Sequence, residues 1–272
     1  MKMNVLKRTL TAMVLLPIVF LLVQFSSKLF FFIGIQIVMI LSLNEFYNLS
    51  QKKGIYPNKV LGIIFSLLIA VTFLFKEFPL GLILIAGLFM LTIGYLLSIK
   101  TLEELMAFPA ELSLTFFGAF YLSFTLNHVI FIREEYGPFF IYFLLAVIFT
   151  GDTLAFFIGK KWGKHQIASL ASPNKTWEGG AAGLVFGIIM GLIAAWVLFG
   201  SDFLIWKIII ISVSIQVIIQ MSDPLESMFK RAAGVKDSSN ILPGHGGMLD
   251  RIDSLILAIP FFYYILKYLG MN

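Results

Sequence analysis

The chain has 272 residues, of which 59% are apolar and 13% charged. Soluble domains usually have about 45–50% apolar and about 25% charged residues, so this composition excludes a soluble globular protein and a disordered chain. The absence of cysteine excludes disulfides and cysteine-ligated metal sites. In a chain solvated by the lipid bilayer, the net charge of +5 indicates basic residues at helix ends rather than a nucleic-acid partner.

Apolar runs recur along the whole sequence, and about 20 apolar residues are needed to cross the hydrocarbon core. They predict an all-α polytopic membrane protein with about nine transmembrane helices, with eight or ten as open alternatives. The first run follows a basic start and lacks a small-residue cleavage site, which favours an uncleaved span. The nine runs cover residues 9–26, 29–49, 59–75, 79–98, 108–132, 137–159, 180–200, 203–222 and 252–270.

The distribution of basic residues predicts the orientation of these spans. With nine spans, 15 of the 20 Lys and Arg residues fall on the side of the N-terminus. Cytoplasmic loops carry an excess of such residues, so we expect a cytoplasmic N-terminus and a C-terminus outside. The two longer polar loops, 160–179 and 223–250, then face the cytoplasm.

The polar loops also divide the chain by chemistry. Residues 1–135, with about five spans, have short connections, whereas 136–272, with about four spans, contain both polar loops. We therefore expect the second region to be catalytic. No internal repeat is evident, which argues mildly against transporters built from duplicated halves.

Two neighbouring residues, Asp223 and Pro224, predict a helix boundary inside the polar stretch 221–254. Asp is a good N-cap, Pro favours the first helical position, and Glu226 has the spacing of a capping box. This pattern predicts a break at Ser222 and a new helix from Asp223. The alternative is that Asp223 only caps the helix and Pro224 only kinks it.

A glycine-rich turn at 244–247 precedes a second pair of carboxylates, Asp250 and Asp253. Glycines let backbone N–H groups approach an anion, and a helix that starts just after them adds its positive dipole end. Carboxylates beside such a turn suit Mg²⁺ that holds a phosphate. The alternatives are a plain turn, a loop role for His245, and an interfacial role for Arg251.

The other polar loop carries a similar set of residues. Asp152 lies late in the sixth run, and Ser172, Lys175 and Thr176 precede a glycine-rich helix start. Such residues can bind a polyphosphate. The nearby Lys160, Lys161 and Lys164 have an alternative interpretation as ordinary flanking charge at the cytoplasmic end of a span.

These motifs resemble the signature of the phosphatidate cytidylyltransferases, also called CDP-diacylglycerol synthases. The resemblance rests on SMFKR at 227–231, KD at 236–237, LPGHGGMLDRID at 242–253, DTLAFFIGK at 152–160 and SPNKTWEG at 172–179. It covers residues 150–254, and the first 135 residues match only as hydrophobic helices.

The resemblance implies that CTP and phosphatidic acid react to give CDP-diacylglycerol and pyrophosphate with Mg²⁺, a second cation being left open. It implies an enzyme of the inner (cytoplasmic) membrane with its active site facing the cytoplasm, and leaves a homodimer open. The resemblance implies that Asp223 and Asp250 bind the metal. It assigns catalytic roles to Lys230, Arg231, Arg251 and Asp253. Substrate binding falls to Asp152, Ser172, Lys175, Thr176, Glu178, Ser227, Lys236, Asp237, Gly244, His245, Gly246 and Gly247.

Two other functions remain as alternatives at this point. An ion-coupled transporter also uses broken helices and intramembrane carboxylates, although its charges would lie at the membrane midplane. A nucleotide-dependent lipid kinase would also use a nucleoside triphosphate at the membrane. The spaced Asp/Gly/Arg pattern of CDP-alcohol phosphotransferases does not occur in the sequence.

Overall fold

The structure is a computed structural model that describes residues 2–168, 172–201, 203–244 and 246–271. Within these ranges the regular secondary structure is helical except for one short hairpin and an isolated antiparallel bridge between Leu242 and Gly246. One π-helix, Ile132–Tyr136, continues the fifth α-helix. The hairpin pairs β1 (Gln166–Ala168) with β2 (Ser172–Thr176). The α-helices are α1 (Lys2–Phe25), α2 (Lys28–Gln51), α3 (Lys59–Leu74), α4 (Leu80–Ser98), α5 (Leu102–Phe131), α6 (Pro138–Trp162), α7 (Trp177–Phe199), α8 (Ile205–Ala232) and α9 (Leu249–Tyr268).

Six of these helices are long and apolar enough to cross a membrane: α2, α4, α5 with its π-helical extension, α6, α7 and α8. Each predicted apolar run coincides with a helix in the described part of the chain. The all-α, multi-pass membrane architecture is therefore confirmed. The number of nine crossings and the placement of the two termini stay predictions.

The chain forms two compact units. The first comprises Met1–Ile130 and Ala232–Ile252, and the second comprises Phe131–Arg231 and Asp253–Asn272. The polar stretch around the glycine-rich turn therefore belongs to the first unit, although it follows α8 of the second in sequence. The expectation that residues 136–272 form the catalytic region concerns function, and it stays a prediction.

Buried hydrogen bonds fix α2 against α5 in the first unit. Gln36 Nε2 donates to Asn127 Oδ1 at 2.7 Å, and the Tyr47 hydroxyl donates to the Thr115 carbonyl at 2.7 Å. All four residues are more than nine-tenths buried. Polar groups in an apolar surrounding are costly unless they are paired, so these contacts define how the two helices pack.

Glycines allow close packing of α6, α7 and α8 in the second unit. A Cβ atom at Gly151 or Gly187 would lie 2.1 or 2.4 Å from Gln216 Nε2, and one at Gly191 would lie 2.0 Å from Ser212 Oγ. Small residues at membrane-helix interfaces let backbones approach closely. The three helices are thereby held close together where they carry the polar residues described below.

The predicted helix break at Ser222 is wrong, because α8 runs without interruption from Ile205 to Ala232 with Pro224 in its interior. Buried residues follow a helical spacing through the proline, at Ile219, Ser222, Glu226 and Lys230. Continued burial of one face outweighs the single backbone hydrogen bond that Pro224 cannot donate. Asp223 is therefore not an N-cap.

Candidate active site

Two carboxylates of the second unit contact one hydroxyl group. Ser254 Oγ, near the start of α9, lies 2.9 Å from Asp152 Oδ2 of α6 and 2.8 Å from Asp223 Oδ1 of α8. The two carboxylate oxygens are therefore no farther apart than the sum of these distances. A serine hydroxyl has a single hydrogen to donate, so it satisfies one carboxylate at a time. The pair consequently attracts additional positive charge.

Lys175 supplies one positive charge to this pair. Its ammonium group forms an ion pair with Asp223 Oδ2, and the side chains are 30% and 16% exposed. Partial burial leaves both groups accessible from solvent while it strengthens their attraction. One ammonium group can balance only one of the two carboxylates.

The local fold explains the position of Lys175. It lies on β2, one residue before Thr176, whose side chain caps α7 by accepting a hydrogen bond from Gly179 N at 3.2 Å. A Cβ atom at Gly159 of α6 would come within 2.9 Å of Thr176 Oγ1. The end of α6 and the start of α7 therefore pack closely beside the lysine.

Glu178 stabilises the segment that leads from the end of α6 into β1. Its carboxylate accepts hydrogen bonds from Lys164 N at 3.1 Å and from His165 N at 3.3 Å, and it contacts His165 Nδ1 at 2.7 Å. In this structure Thr176 and Glu178 thus shape the loop, while Lys175 faces the carboxylates. Ser172 is a half-buried residue at the start of β2.

Asp253 adjoins the same cluster. Its Oδ1 accepts a hydrogen bond from Ser254 N at 2.8 Å, and its backbone carbonyl accepts one from Ser222 Oγ at 2.6 Å. The second contact ties α9 to α8 beside Asp223. The structure thus brings Asp152, Asp223, Asp253 and Lys175 together around Ser254, a residue to which the motifs assign no role.

A divalent cation is compatible with this cluster. Among the described residues no three His, Asp or Glu side chains are grouped closely enough to hold a metal by themselves. Mg²⁺, however, is usually bound through one or two carboxylates together with waters and substrate phosphates. Asp152 and Asp223, which share one hydroxyl hydrogen, match that donor set.

The basic motif of α8 has a buried and an exposed member. Lys230, 8% exposed, forms an ion pair at 2.5 Å with Glu226 one turn earlier, and Glu226 is 1% exposed. Arg231 is exposed, and Ser227 is half-buried. The predicted catalytic roles of Lys230 and Arg231 stay predictions.

The glycine-rich turn lies in the first unit and is followed by a helix, as predicted. Gly244 and Gly246 have φ of 77° and 79°, a region that glycine adopts without strain, and α9 begins at Leu249 just after the turn. Asp250 Oδ2 accepts hydrogen bonds from Gly247 N at 2.8 Å and from Ser238 N at 2.9 Å. The Gly247 N–H group expected to face a phosphate thus faces a carboxylate of the chain itself.

Glu45 of α2 is a residue that the motifs do not indicate. It is completely buried, and its carboxylate accepts hydrogen bonds from Met248 N at 3.0 Å and Leu249 N at 2.9 Å. The sequence did contain a signal for Glu45, since it is an ionisable residue within an apolar run, and such residues are rare and usually functional.

The remaining predicted residues of the first unit are Lys236, Asp237 and Arg251, all exposed. His245 lies outside the described residues. Asp250 is 7% exposed. Its predicted role as a metal ligand, like the phosphate role of the glycines, stays a prediction.

Comparisons with known proteins agree with the motifs. A phosphatidate cytidylyltransferase of Haemophilus influenzae is 41% identical over 134 residues, 47% of this chain and 46% of that protein. The phosphatidate cytidylyltransferase of Bacillus subtilis is 39% identical over 151 residues, which are 55% of this chain and 56% of that protein. The one of Brucella abortus is 36% identical over 148 residues, which are 54% of each chain. The chain thus spans about half the length of the curated relatives it matches. A model described as the cytidylyltransferase family matches residues 6–269, and the chain therefore belongs to this family.

Proposed function

We propose that the protein transfers CMP from CTP to phosphatidic acid, giving CDP-diacylglycerol and pyrophosphate for phospholipid synthesis. Family membership and the names of the relatives support the reaction class. The observation in the structure that carries the proposal is the cluster of Asp152, Asp223 and Lys175 around Ser254. It combines a partly exposed ammonium group with a carboxylate pair that shares one hydroxyl hydrogen.

The reaction needs positioning and charge compensation rather than a protein nucleophile. An oxygen of the lipid phosphate forms a bond to the α-phosphorus of CTP, and the bond from that phosphorus to the bridging oxygen breaks. The electron pair leaves with pyrophosphate. Both reactants are anions, so their repulsion contributes to the barrier, and fixed positive groups lower it. We assign Lys175 to the triphosphate, because its ammonium group is accessible and already lies beside the carboxylates.

The carboxylate pair is the proposed metal site. Asp152 and Asp223 would hold Mg²⁺, which when bound supplies positive charge to phosphate oxygens. Ser254 keeps the two carboxylates in place, and the Asp253 carboxylate accepts a hydrogen bond from the Ser254 N–H group. Lys230, Arg231 and Arg251 keep the roles that the resemblance implies, as proposals, as do the motif residues assigned to substrate other than Asp152. The metal role that the resemblance gives Asp250 stays a separate proposal, for the second cation that the resemblance leaves open.

We further propose that the protein works in the cytoplasmic (inner) membrane with its active site facing the cytoplasm. Two arguments support this orientation: 15 of the 20 basic residues lie on the predicted cytoplasmic side, and CTP is a cytosolic substrate. Reporter fusions after residue 271 and within 163–167 test it. A cytoplasmic C-terminus would contradict the nine-span topology.

The reaction itself is tested with purified protein in mixed micelles. CTP labelled in the α-phosphate, phosphatidic acid and Mg²⁺ are supplied together, and labelled lipid and pyrophosphate are measured. We expect equal amounts of both products, and none when CTP, the lipid or Mg²⁺ is left out.

Two outcomes would contradict the proposal. A lipid kinase would release a nucleoside diphosphate and transfer the γ-phosphate, so label from the α-phosphate would not enter the lipid. A transporter would release no pyrophosphate. Consumption of ATP at the rate of CTP would also refute a cytidylyltransferase.

A further inference from the structure

A buried carboxylate organises the polar segment 238–250 of the first unit. Glu45 is completely buried within α2 and faces four hydrogen-bond donors, one of which, the Ser238 hydroxyl, it shares with Asp250. Two are the hydroxyls of Ser238 and Ser239, at 2.8 and 2.6 Å, and two are Met248 N and Leu249 N, at 3.0 and 2.9 Å. Residues that lie about 200 positions later in the chain thus converge on one side chain.

The contact with Met248 and Leu249 places a negative group at the start of α9. The first N–H groups of a helix have no partner within the helix, and the helix dipole favours an anion there. Glu45 Oε2 accepts the N–H group of Leu249, the first residue of α9, and Oε1 accepts that of Met248 just before it. The side chain therefore fixes both the position and the direction of the first turn of α9, which carries Asp250.

Gly247 leaves the room that this carboxylate needs. A Cβ atom at position 247 would lie 2.3 Å from Glu45 Oε2 and 2.0 Å from Ser238 Oγ. Any larger residue would displace one of these groups, so the glycine is explained by a contact within the chain.

Asp250 belongs to the same hydrogen-bond network. Ser238 Oγ, which lies 2.8 Å from Glu45 Oε2, also lies 3.0 Å from Asp250 Oδ2. Asp250 in addition accepts from Gly247 N at 2.8 Å. Movement of the Glu45 carboxylate would therefore disturb the surroundings of Asp250 through Ser238 and Gly247.

We propose that Glu45 is a positioning residue, which holds segment 238–250 and thereby Asp250 in the geometry used for catalysis. The inference rests on the proposed function, since it takes Asp250 and the adjoining motif as part of the reaction. A buried charge is costly unless it is well hydrogen-bonded, and an apolar residue could fill the same volume. What the carboxylate adds is the simultaneous fixation of two serines and two backbone N–H groups.

The test compares Glu45→Gln with Ser42→Ala in the full-length protein. Ser42 is buried on the same helix, and its hydroxyl donates to the Val38 carbonyl of that helix. Amide hydrogen exchange of peptides covering 238–250 reports the segment, and kcat and KM for CTP report catalysis per folded protein. For Glu45→Gln we expect exchange in 247–249 at least about 10-fold faster and kcat about 10–100-fold lower, the range seen when a residue that orients a catalytic ligand is changed.

The two readouts separate the possible outcomes. Exchange unchanged in Glu45→Gln, or kcat within about 3-fold of wild type despite faster exchange, would overturn the inference. Ser42→Ala should match wild type in both. If the wild-type protein does not convert CTP, the proposed function has failed, whereas the exchange result still decides whether Glu45 holds the segment.

A second variant covers the case in which Glu45→Gln does not fold. Ser239→Ala removes one hydrogen bond to Glu45 Oε1 and leaves the charge in place. We expect faster exchange and lower kcat in the same direction, at least about 3-fold each, because one of four donors is lost. Wild-type values of both quantities in Ser239→Ala would overturn the inference.

Discussion

Replacement of Asp223 by Asn distinguishes a role of this carboxylate in folding from a role in catalysis. The variant keeps the side-chain volume and one oxygen but removes the negative charge. The oxygen can face Lys175, and the amide nitrogen can donate to Ser254 Oγ, which then donates its own hydrogen to Asp152. Every group of the cluster keeps a partner, so we expect the protein to fold.

The change in stability should be small. The ion pair with Lys175 is lost, but both side chains are partly exposed, and such pairs contribute about 0–1 kcal/mol after solvent screening. Repulsion between Asp223 and Asp152 is relieved at the same time. We therefore expect the free energy of unfolding to change by about 1 kcal/mol or less.

The change in activity should be much larger. If Asp223 holds the cation that stabilises charge in the transition state, loss of that contact should lower kcat at least ~10²–10³-fold, or about 2.7–4 kcal/mol. The assay measures pyrophosphate release from CTP at saturating Mg²⁺, with thermal unfolding and elution profile measured on the same preparation. Glu77→Gln, an exposed carboxylate between α3 and α4, is the matched control.

One result would refute this reasoning. Activity of Asp223→Asn within about 5-fold of wild type, in protein that elutes and unfolds as wild type does, would remove Asp223 from the metal site. An N-cap role cannot be invoked for a silent variant, because α8 continues through this position.

The other predictions concern charge, packing and the cation. Lys175→Met keeps the aliphatic stem and removes the ammonium group, so kcat/KM for CTP should fall about 10–100-fold in the same assay; a change below 3-fold would exclude contact with the triphosphate. Gly191→Ala should lower the free energy of unfolding by about 1–3 kcal/mol, measured by thermal unfolding, since its Cβ would lie 2.0 Å from Ser212 Oγ. Adding Ser212→Ala, which removes the clashing oxygen, should recover part of that loss, and no recovery would contradict the packing argument. Chelation with excess EDTA should abolish pyrophosphate release and added Mg²⁺ should restore it; activity that survives chelation would argue against a cation at the carboxylate pair.

Much of the fold could be predicted because the relevant signals are local. Runs of apolar residues of membrane-spanning length predicted a helix at each position where one occurs. The start of α9 just after the glycine-rich turn followed from neighbouring residues as well. Such features depend on a few adjacent positions, so a single sequence contains them.

The break expected at Ser222 shows where local signals fail. Asp, Pro and Glu at 223–226 have the order of a helix start, yet Ile219 and Glu226 are buried on the same face of one helix. Burial on both sides of Pro224 maintains the helix. That information resides in the packing of α8 and not in the four residues that suggested a cap.

The candidate site could be predicted only in part, because its members are far apart in the chain. Asp152 and Asp223 could each be singled out, but their shared contact with Ser254 could not, since those contacts span 102 and 31 residues. Glu45 could have been noticed as a carboxylate within an apolar run. Its partners could not have been named, because they lie 193 to 204 residues later.

The hairpin that carries Lys175 has a consequence for the rate of the reaction. Thr176 packs against Gly159 at the end of α6, and Glu178 binds the backbone at 164–165, so the strand is anchored next to the lysine. Lys175 can therefore exchange Asp223 for another anion by rotating its own side chain. Rotations of exposed side chains take picoseconds to nanoseconds. Lys175, 30% exposed, must also break its ion pair, but it needs no loop or lid movement, which would take microseconds to milliseconds. Enzyme turnover commonly runs at about 1–10³ s⁻¹, so this exchange would be complete long before each catalytic cycle ends.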